Sequence, residues 1–123
     1  MPDPIDPATM ARSRLNWAEP DRPGHREMLA LYRRLIALRR KHPELTDPRL
    51  AGLRVDAADS WLVLHRGRLR LACNLGATRV RVPLGGPLDE TLLCWGDAVV
   101  AGDEAILPPD AFVLVSVVAA KRT

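Results

Sequence analysis

The sequence predicts a mainly β protein that begins with one long helix and continues as a small antiparallel β-sandwich or open barrel. Three observations support this fold class. Apolar residues recur at three- and four-residue spacing between Gly24 and Lys41, as in an amphipathic helix. Five of the eleven prolines lie before residue 24. After residue 48, short apolar segments alternate with Gly-, Pro- or Asp-containing turns roughly every ten residues, as in antiparallel sandwiches.

Residues 1–23 are predicted to form a Pro- and Asp-rich arm. Proline fixes its own φ and disfavours helix at the residue before it, so the arm is expected to be extended and irregular. Within this extended arm, the pattern allows one short turn of helix, between Ala8 and Asn16. Because the N-terminus carries Asp3 and Asp6 and no apolar stretch, it does not match a signal peptide.

Residues 24–45 are predicted to form the amphipathic helix and its end. The basic residues of its last turn suit the negative end of the helix dipole, and Pro43 prevents much continuation. Five side chains make its primary apolar face: Met28, Leu31, Tyr32, Leu35 and Leu38. Burying five such side chains is worth about 7–15 kcal/mol, which is comparable to the stability of a whole small domain. A small β-domain is expected to cover only part of that face, so a partner is predicted.

Residues 48–120 are predicted to form the antiparallel β-domain. In "RLRLACNL" one face is expected to be buried and the other exposed to solvent. The residues Leu69, Leu71, Cys73 and Leu75 face one way, and Arg68 and Arg70 face the other. The segment "FVLVSVV" is apolar on both faces, which predicts a central strand. The predicted strands are Leu53–Asp56, Trp61–His65, Arg68–Leu75, Thr78–Pro83, Thr91–Trp95, a weak strand near Val99, Ala105–Leu107 and Phe112–Val118.

Composition places the chain among ordinary globular proteins and excludes several functions. It is 47% hydrophobic and 27% charged, with a net charge of +3, so wholesale disorder is not expected. No apolar run approaches the roughly 20 residues of a membrane span, and a cytoplasmic protein without membrane association is predicted. The basic residues of "RRLIALRRK" are those expected on the solvent-exposed face of an amphipathic helix, so nucleic-acid binding is not predicted.

No arrangement of residues matches a catalytic or metal site. The three histidines and two cysteines have no zinc-ligand spacing, and no Gly-rich loop precedes a helix. The prediction is therefore no catalytic, cofactor-binding or metal-binding residue, and no cofactor. Cys73 and Cys94 favour buried free thiols over a disulfide. Trp61 and Trp95 favour core packing, with a sugar-stacking platform for a malto-oligosaccharide left open.

Four segments in this order resemble the C-terminal end of glycoside hydrolases of the α-amylase superfamily, in particular the malto-oligosyltrehalose trehalohydrolase family. They are "DPIDPATMARSRLNW", "YRRLIALRRKHPEL", "WLVLHRGRLRLACNLG" and "LPPDAFVLV". Three residues depart from the family pattern: Ile5 stands where Gln is usual, Met10 where Phe is usual, and Asn16 where Asp is usual. Glycogen-branching and debranching relatives share the helix pattern and remain alternatives.

The resemblance implies an origin for the helix and a function for the chain. The helix would be the last outer helix of a (β/α)₈ barrel, followed by a C-terminal β-domain of the α-amylase type. Because the family's catalytic carboxylates lie on barrel strands, the chain is expected to be an accessory domain without activity alone. The expected partner is the barrel of a parent or separately encoded hydrolase, or a second copy bound through the Met28/Leu31/Tyr32/Leu35/Leu38 face. The alternatives are a stand-alone carbohydrate-binding module and a nucleic-acid-binding basic helix. The sequence leaves open whether this is a short gene product, a truncated frame or a piece of a longer chain.

Overall fold

The computed structural model describes residues 1–119. The chain divides into two compact units, Met1–Leu35 and Ile36–Thr123, and each is described by itself below. The division falls within the longest helix, α2, which spans His25–Lys41. In the described residues, no helix is long and apolar enough to span a membrane.

The first unit contains more than one helical element. Helix α1 spans Pro7–Arg12, where the Asp6 side chain caps the start by accepting from the amide of Ala8 at 2.8 Å. A 3-10 turn follows at Glu19–Asp21, before α2 begins. The short helical turn expected in the arm is thus present, starting at Pro7. The prediction of one long N-terminal helix is not confirmed, because helical structure is distributed over α1, the 3-10 turn and α2.

Helix α2 begins after a glycine and ends before a proline. Gly24 has φ +82°, a conformation that side chains other than glycine rarely adopt. The backbone amide of Gly24 donates a hydrogen bond to the Glu27 carboxylate, so a side chain of the first turn satisfies a backbone N–H at the start of the helix. The backbone amides of Glu27 and Gly24 lower the pKa of that carboxyl. Basic residues occupy the last turn, as the helix dipole favours.

Up to residue 119, the second unit contains eight antiparallel strands in two sheets. Sheet A has five strands in the order β1-β2-β3-β8-β5, and sheet B has three in the order β4-β7-β6. Strand β8 lies between β3 and β5, so its predicted internal position is confirmed. The strands are β1 Leu53–Ala57, β2 Trp61–Arg66, β3 Leu69–Asn74, β4 Val80–Pro83, β5 Leu88–Trp95, β6 Val99–Ala101, β7 Glu104–Leu107 and β8 Phe112–Val117. Short 3-10 turns at Pro43–Leu45 and Leu50–Gly52 precede β1.

Sheet A buries side chains on both of its faces. On one face, Val63 and Val113 share a core with Leu107 of sheet B. On the other face, Leu69 and Leu114 form a second cluster with Leu92 and with Leu38 of α2. The prediction that β3 buries one face and wets the other is therefore wrong, because both sheet B and the last turns of α2 cover it.

Arg70 was expected on a wet face and instead lies half-buried beside sheet B. Its guanidinium donates from Nε to the carbonyl of Leu84 at 2.9 Å and from Nη1 to the carbonyl of Gly67 at 2.8 Å. Burial, then the nearby Arg54, lowers the pKa of Arg70, with Asp56 opposing. The long side chain thus satisfies backbone carbonyls at the edge of the core.

Asn74, only 1% exposed, joins the ends of the two sheets. Its amide Nδ2 donates to the carbonyls of Thr78, Leu107 and Pro108 at 2.8–3.0 Å. Its Oδ1 accepts from the amide of Gly76 at 2.9 Å. Because this one buried side chain forms hydrogen bonds with four backbone groups, it holds the segment that follows β3 against the end of β7.

The two cysteines are free thiols that cannot reach each other. Cys73 pairs with Phe112 of β8 and Cys94 with the next residue, Val113, so the two thiols point to opposite faces of sheet A. Cys73 is half-buried, and burial raises the pKa of its thiol. Cys94 is exposed and its Sγ donates to the Ala98 carbonyl at 3.2 Å. The prediction of free thiols is confirmed, and the prediction that both are buried is wrong for Cys94.

Candidate interaction surface

The first unit exposes large apolar side chains that a stable isolated domain would normally bury. Trp17 is 82% exposed and Tyr32 is 60% exposed, with Leu15 and Met28 also on the surface. None of the residues of α1 is buried. Exposed apolar groups in this density mark a surface that is covered by another molecule or another part of a longer chain.

The apolar face of α2 changes environment along the helix. Leu38 is 4% exposed and packs on Leu69 and Leu114 in the second unit, whereas Leu35, one turn earlier, is 37% exposed. Met28 and Tyr32 are exposed as well, and Leu31 is half-buried. The predicted five-residue interaction face is therefore corrected: Leu38 belongs to the core, and the available part consists of Met28, Tyr32 and Leu35 with a contribution from Leu31.

A shallow cleft of about 240 Å³ lies in the first unit. This volume is below the roughly 300–1,000 Å³ of small-molecule pockets, so the cleft suits a side chain of a partner better than a free ligand. Its apolar walls come from Leu15, Trp17, Pro20 and Leu29. Asn16, Glu19 and His25 complete the lining.

The first unit carries both exposed arginines and exposed carboxylates. Asp3, Asp6 and Glu27 each accept from a backbone amide of their own segment. Among residues 1–119, Arg26 and Arg33 form no salt bridge, although Arg26 donates to the Asp21 carbonyl at 2.8 Å. Both arginines are exposed on α2.

A polar cluster at the start of sheet A was missed by the sequence analysis, which had placed His65 at a strand end. The His65 Nε2 lies 2.8 Å from the Asp56 carboxylate, and Arg54 Nη2 lies 2.8 Å from the same oxygen. His65 is 7% exposed. Burial, then Arg70 and Arg54, lowers its pKa, while Asp56 opposes the shift. For Asp56, burial acts against ionisation, but Arg54 and His65 outweigh it and lower the pKa.

This cluster holds the Asp56 carboxylate between the Arg54 guanidinium and the His65 imidazole. The cross-strand register that pairs Arg54 with His65 creates it, and no local sequence pattern specifies that register. It links edge strand β1 to β2 through side chains, which is a structural role.

Three other carboxylates of the second unit have side-chain partners, and they lie apart from one another in the sequence. Asp47 accepts from Arg49 at 2.8 Å, and this hydrogen bond lowers the pKa of Asp47. Arg81 lies 3.4 Å from Glu104. Asp89 accepts from Ser116 Oγ at 3.1 Å. Within residues 1–119, no group of three or more His, Cys, Asp or Glu side chains could hold a metal ion.

The two tryptophans of sheet A cannot form one sugar-stacking platform. Trp95 stacks on Phe112, with ring centroids 6.4 Å apart and planes 11° apart. Phe112 pairs with Cys73, and Cys73 with Leu62, so these side chains share one face. Trp61 precedes Leu62 and therefore faces the opposite side, where it packs against the shared core of the two sheets.

The fold and surface together define a class: a small antiparallel β-domain whose preceding segment presents an open apolar surface. Comparison with known proteins identifies the family. Residues 48–114 match the family described as "Domain of unknown function (DUF3459)", and the chain belongs to this family, the C-terminal domain of α-amylase-type enzymes.

Relatives at the sequence level are all much longer proteins. The chain is 43% identical over 107 residues to the malto-oligosyltrehalose trehalohydrolase of Mycobacterium tuberculosis, covering 85% of this chain and 18% of that protein. It is 42% identical over 97 residues to the Arthrobacter ramosus protein of that name, covering 79% and 16%. It is 39% identical over 112 residues to the Rhizobium sp. (strain M-11) protein of that name, covering 89% of this chain and 18% of that protein. The chain thus spans less than a fifth of the length of these relatives.

Solved structures show the same fold. A crystal structure of the trehalulose synthase MutB has 21% sequence identity and a TM-score of 0.62, covering 72% of this chain and 17% of that chain. A second MutB structure, from crystals soaked with trehalulose, has 21% identity and a TM-score of 0.61. The expected fold of the α-amylase C-terminal-domain type is confirmed as a mainly β structure with two antiparallel sheets.

Proposed function

We propose that this chain is the C-terminal accessory domain of a malto-oligosyltrehalose trehalohydrolase-like glycoside hydrolase, with a structural role and no catalytic activity of its own. The arm of residues 1–23, the helix region 24–45 and the β-domain 48–120 then correspond to the end of the barrel and the domain after it, as a small β-sandwich in a cytoplasmic enzyme. The observation that carries the proposal is the exposed apolar surface of the first unit. The names of the relatives at 43% and 42% identity supply the reaction.

The carboxylates support a structural role. Retaining glycosidases place two carboxyl groups about 5–5.5 Å apart, with one free to attack and one to donate a proton. Here Asp47, Asp56 and Glu104 are each held by a cation, and Asp89 accepts from a serine. Side chains engaged in this way stabilise strands and turns.

Self-association is a second form of the same role. Met28, Tyr32 and Leu35 offer a second copy an apolar contact surface, and light scattering over a range of concentrations would detect the resulting dimer. The corrected face lacks Leu38, so the dimer contact would be smaller than the five-residue face predicted from the sequence.

The test is trehalose release from a malto-oligosyltrehalose. The chain alone, the barrel portion of the Mycobacterium tuberculosis relative alone, and the two co-expressed are assayed in parallel. Release that requires co-expression supports the proposal. Release by the chain alone overturns the absence of catalytic residues, and equal release by the barrel with and without the chain overturns the structural role.

A further inference from the structure

Strand β1 is an edge strand of sheet A, and its outer side is open. In the strand order β1-β2-β3-β8-β5, β1 has β2 on one side, and no other strand within residues 1–119 pairs with it. Val55, at the centre of β1, is 53% exposed. An edge strand presents unpaired N–H and C=O groups to which a further strand can add. This edge is therefore a site for strand addition.

The register of the β1–β2 hairpin determines which backbone groups of β1 point outward. The Ala58 amide donates to the Trp61 carbonyl at 3.0 Å, so these two residues form a hydrogen-bonded pair. Hydrogen-bonded and non-hydrogen-bonded pairs alternate along an antiparallel ladder. Arg54 and Asp56 therefore bond to β2 through their backbones, as Ala58 does, and the alternate residues of β1 point their amides and carbonyls to the open side.

The outward backbone groups of β1 are complementary to those of a second copy. When two β1 strands lie antiparallel and centred on Val55, the two Val55 residues exchange a pair of N–H···O=C bonds. Each Ala57 amide then meets the Leu53 carbonyl of the other copy. The Leu53 amide takes no part, because it donates to the Leu50 carbonyl of its own chain. This register overlaps the whole of both strands.

The charges on β1 favour this register over its neighbours. With Val55 opposite Val55, the Arg54 of each copy lies opposite the Asp56 of the other. A shift of two residues in either direction keeps the backbone pattern but sets Arg54 opposite Arg54 or Asp56 opposite Asp56. Opposite charges directly across a strand pair stabilise it, and like charges destabilise it. Both side chains are accessible, at 66% and 44% exposed.

We propose that β1 binds β1 of a second copy of this chain, antiparallel and centred on Val55, so that two A sheets join into one continuous sheet. The order of Arg54 and Asp56 makes this edge complementary to itself, whereas a strand without that charge order leaves one or both charges without a cross-strand partner. The inference goes beyond the proposed function and uses a surface other than the exposed face of α2.

The opposite edge of sheet A is less suited to strand addition. Strand β5 has two register irregularities between Leu88 and Leu93, whereas β1 pairs with β2 in an unbroken register. Irregularities of this kind twist an edge away from a straight partner strand. Strand β1 also contains no proline or lysine, the residues that commonly protect an edge.

The first test measures self-association by analytical ultracentrifugation. The contact is small, so a dimer is expected to appear between about 10 µM and about 1 mM chain. Val55→Pro removes an outward N–H and leaves the bonds to β2 in place, so it should abolish the dimer. Tyr32→Ser, on the exposed face of α2, is the control and should leave the dimer unchanged.

Charge reversal tests the occupant and the register together. Arg54→Asp and Asp56→Arg each set like charges opposite one another at both ends of the contact, so each should weaken the dimer by about tenfold or more. An equal mixture of the two variants should dimerise again, because opposite charges then face each other. Arg79→Asp, at an exposed position outside β1, is the matched control. Circular dichroism of each variant confirms that it folds.

Amide hydrogen exchange gives a second readout that is specific to strand pairing. The Val55 and Ala57 amides should exchange quickly in dilute solution and become protected as the chain concentration rises. The Arg54 and Asp56 amides bond to β2 and should be protected at every concentration. Equal behaviour of the two sets would contradict the predicted register.

The remaining outcomes each overturn the inference. They are a monomer at about 1 mM, a dimer that survives Val55→Pro but not Tyr32→Ser, and a mixture of the two charge variants that stays monomeric. A chain that is monomeric, but whose Val55→Pro variant blocks trehalose release in the co-expression assay, has the barrel rather than a second copy on this edge. Trehalose release by the wild type tests the proposed function separately, so the absence of a dimer leaves that function standing.

Discussion

Replacing Leu38 by alanine tests whether the end of α2 belongs to the core of the second unit. Leu38 is 4% exposed and contacts Leu69, Leu92 and Leu114. The substitution removes three buried carbon groups, worth roughly 2.4 kcal/mol at about 0.8 kcal/mol each. The cavity that remains adds to this cost, and measured Leu→Ala changes in cores fall at about 2–5 kcal/mol. We expect the free energy of unfolding to fall by about 3 kcal/mol.

The matched control is Leu35→Ala, one turn earlier on the same helix. Leu35 is 37% exposed, so the same change of residue type and helix propensity should cost about 1 kcal/mol or less. Urea denaturation followed by circular dichroism measures both as shifts in midpoint at constant slope. Equal destabilisation by the two substitutions would show that α2 is not divided between a buried end and an exposed end, and would refute the reasoning.

Three other features give predictions that can be measured on the chain alone. Asn74→Ala removes four hydrogen bonds, three to the carbonyls of Thr78, Leu107 and Pro108 and one from the amide of Gly76. It should lower the free energy of unfolding, measured by urea denaturation, by about 4 kcal/mol at about 1 kcal/mol per lost hydrogen bond, whereas the exposed Asn16→Ala should cost little. Because burial and nearby arginines lower the pKa of His65, the folded state binds fewer protons than the unfolded state. Stability should therefore fall as pH drops below the ordinary histidine value of 6.5, and His65→Gln should flatten that slope; a flat wild-type profile from pH 8 to 5 would contradict the assignment. A thiol reagent should modify Cys94 faster than Cys73, because Cys94 is exposed while burial raises the pKa of Cys73, and Cys94→Ser should leave only the slow phase; one rate for both thiols would count against this geometry.

The elements of the β-domain were predictable because their signals are local. Each predicted strand has a counterpart, from Leu53–Ala57 to Phe112–Val117, and the turns fall at the Gly-, Pro- and Asp-containing segments. Strand β5 begins at Leu88, three residues before its predicted start. Two register irregularities between Leu88 and Leu93 allow this strand to accommodate polar residues that interrupt a regular alternation.

The faces of the strands were not predictable, since they depend on what packs from outside the segment. Arg70 alternates with leucines and reads as a wet residue, yet sheet B covers its face. The Asp56–His65 contact requires the β1–β2 register, and a shift of one residue would turn both side chains to the other face. For the candidate surface, the sequence indicated an apolar helix face, but only the packing of Leu38 separated its buried end from its exposed end.

The energetics of the exposed surface favour a covalent connection between this domain and its partner. Trp17, Met28, Tyr32 and Leu35 are 82%, 44%, 60% and 37% exposed, so burying what remains exposed would be worth about 3–7 kcal/mol at roughly 1.5–3 kcal/mol for a fully exposed side chain. Association of two separate chains costs an estimated 4–15 kcal/mol in lost translational and rotational freedom and side-chain ordering, so these two contributions nearly cancel. A peptide link removes most of that cost because it raises the effective concentration of one partner near the other to about the millimolar range. Under the proposed function, the same apolar groups that would give a weak complex between separate chains would suffice to hold the domain on a barrel within one polypeptide.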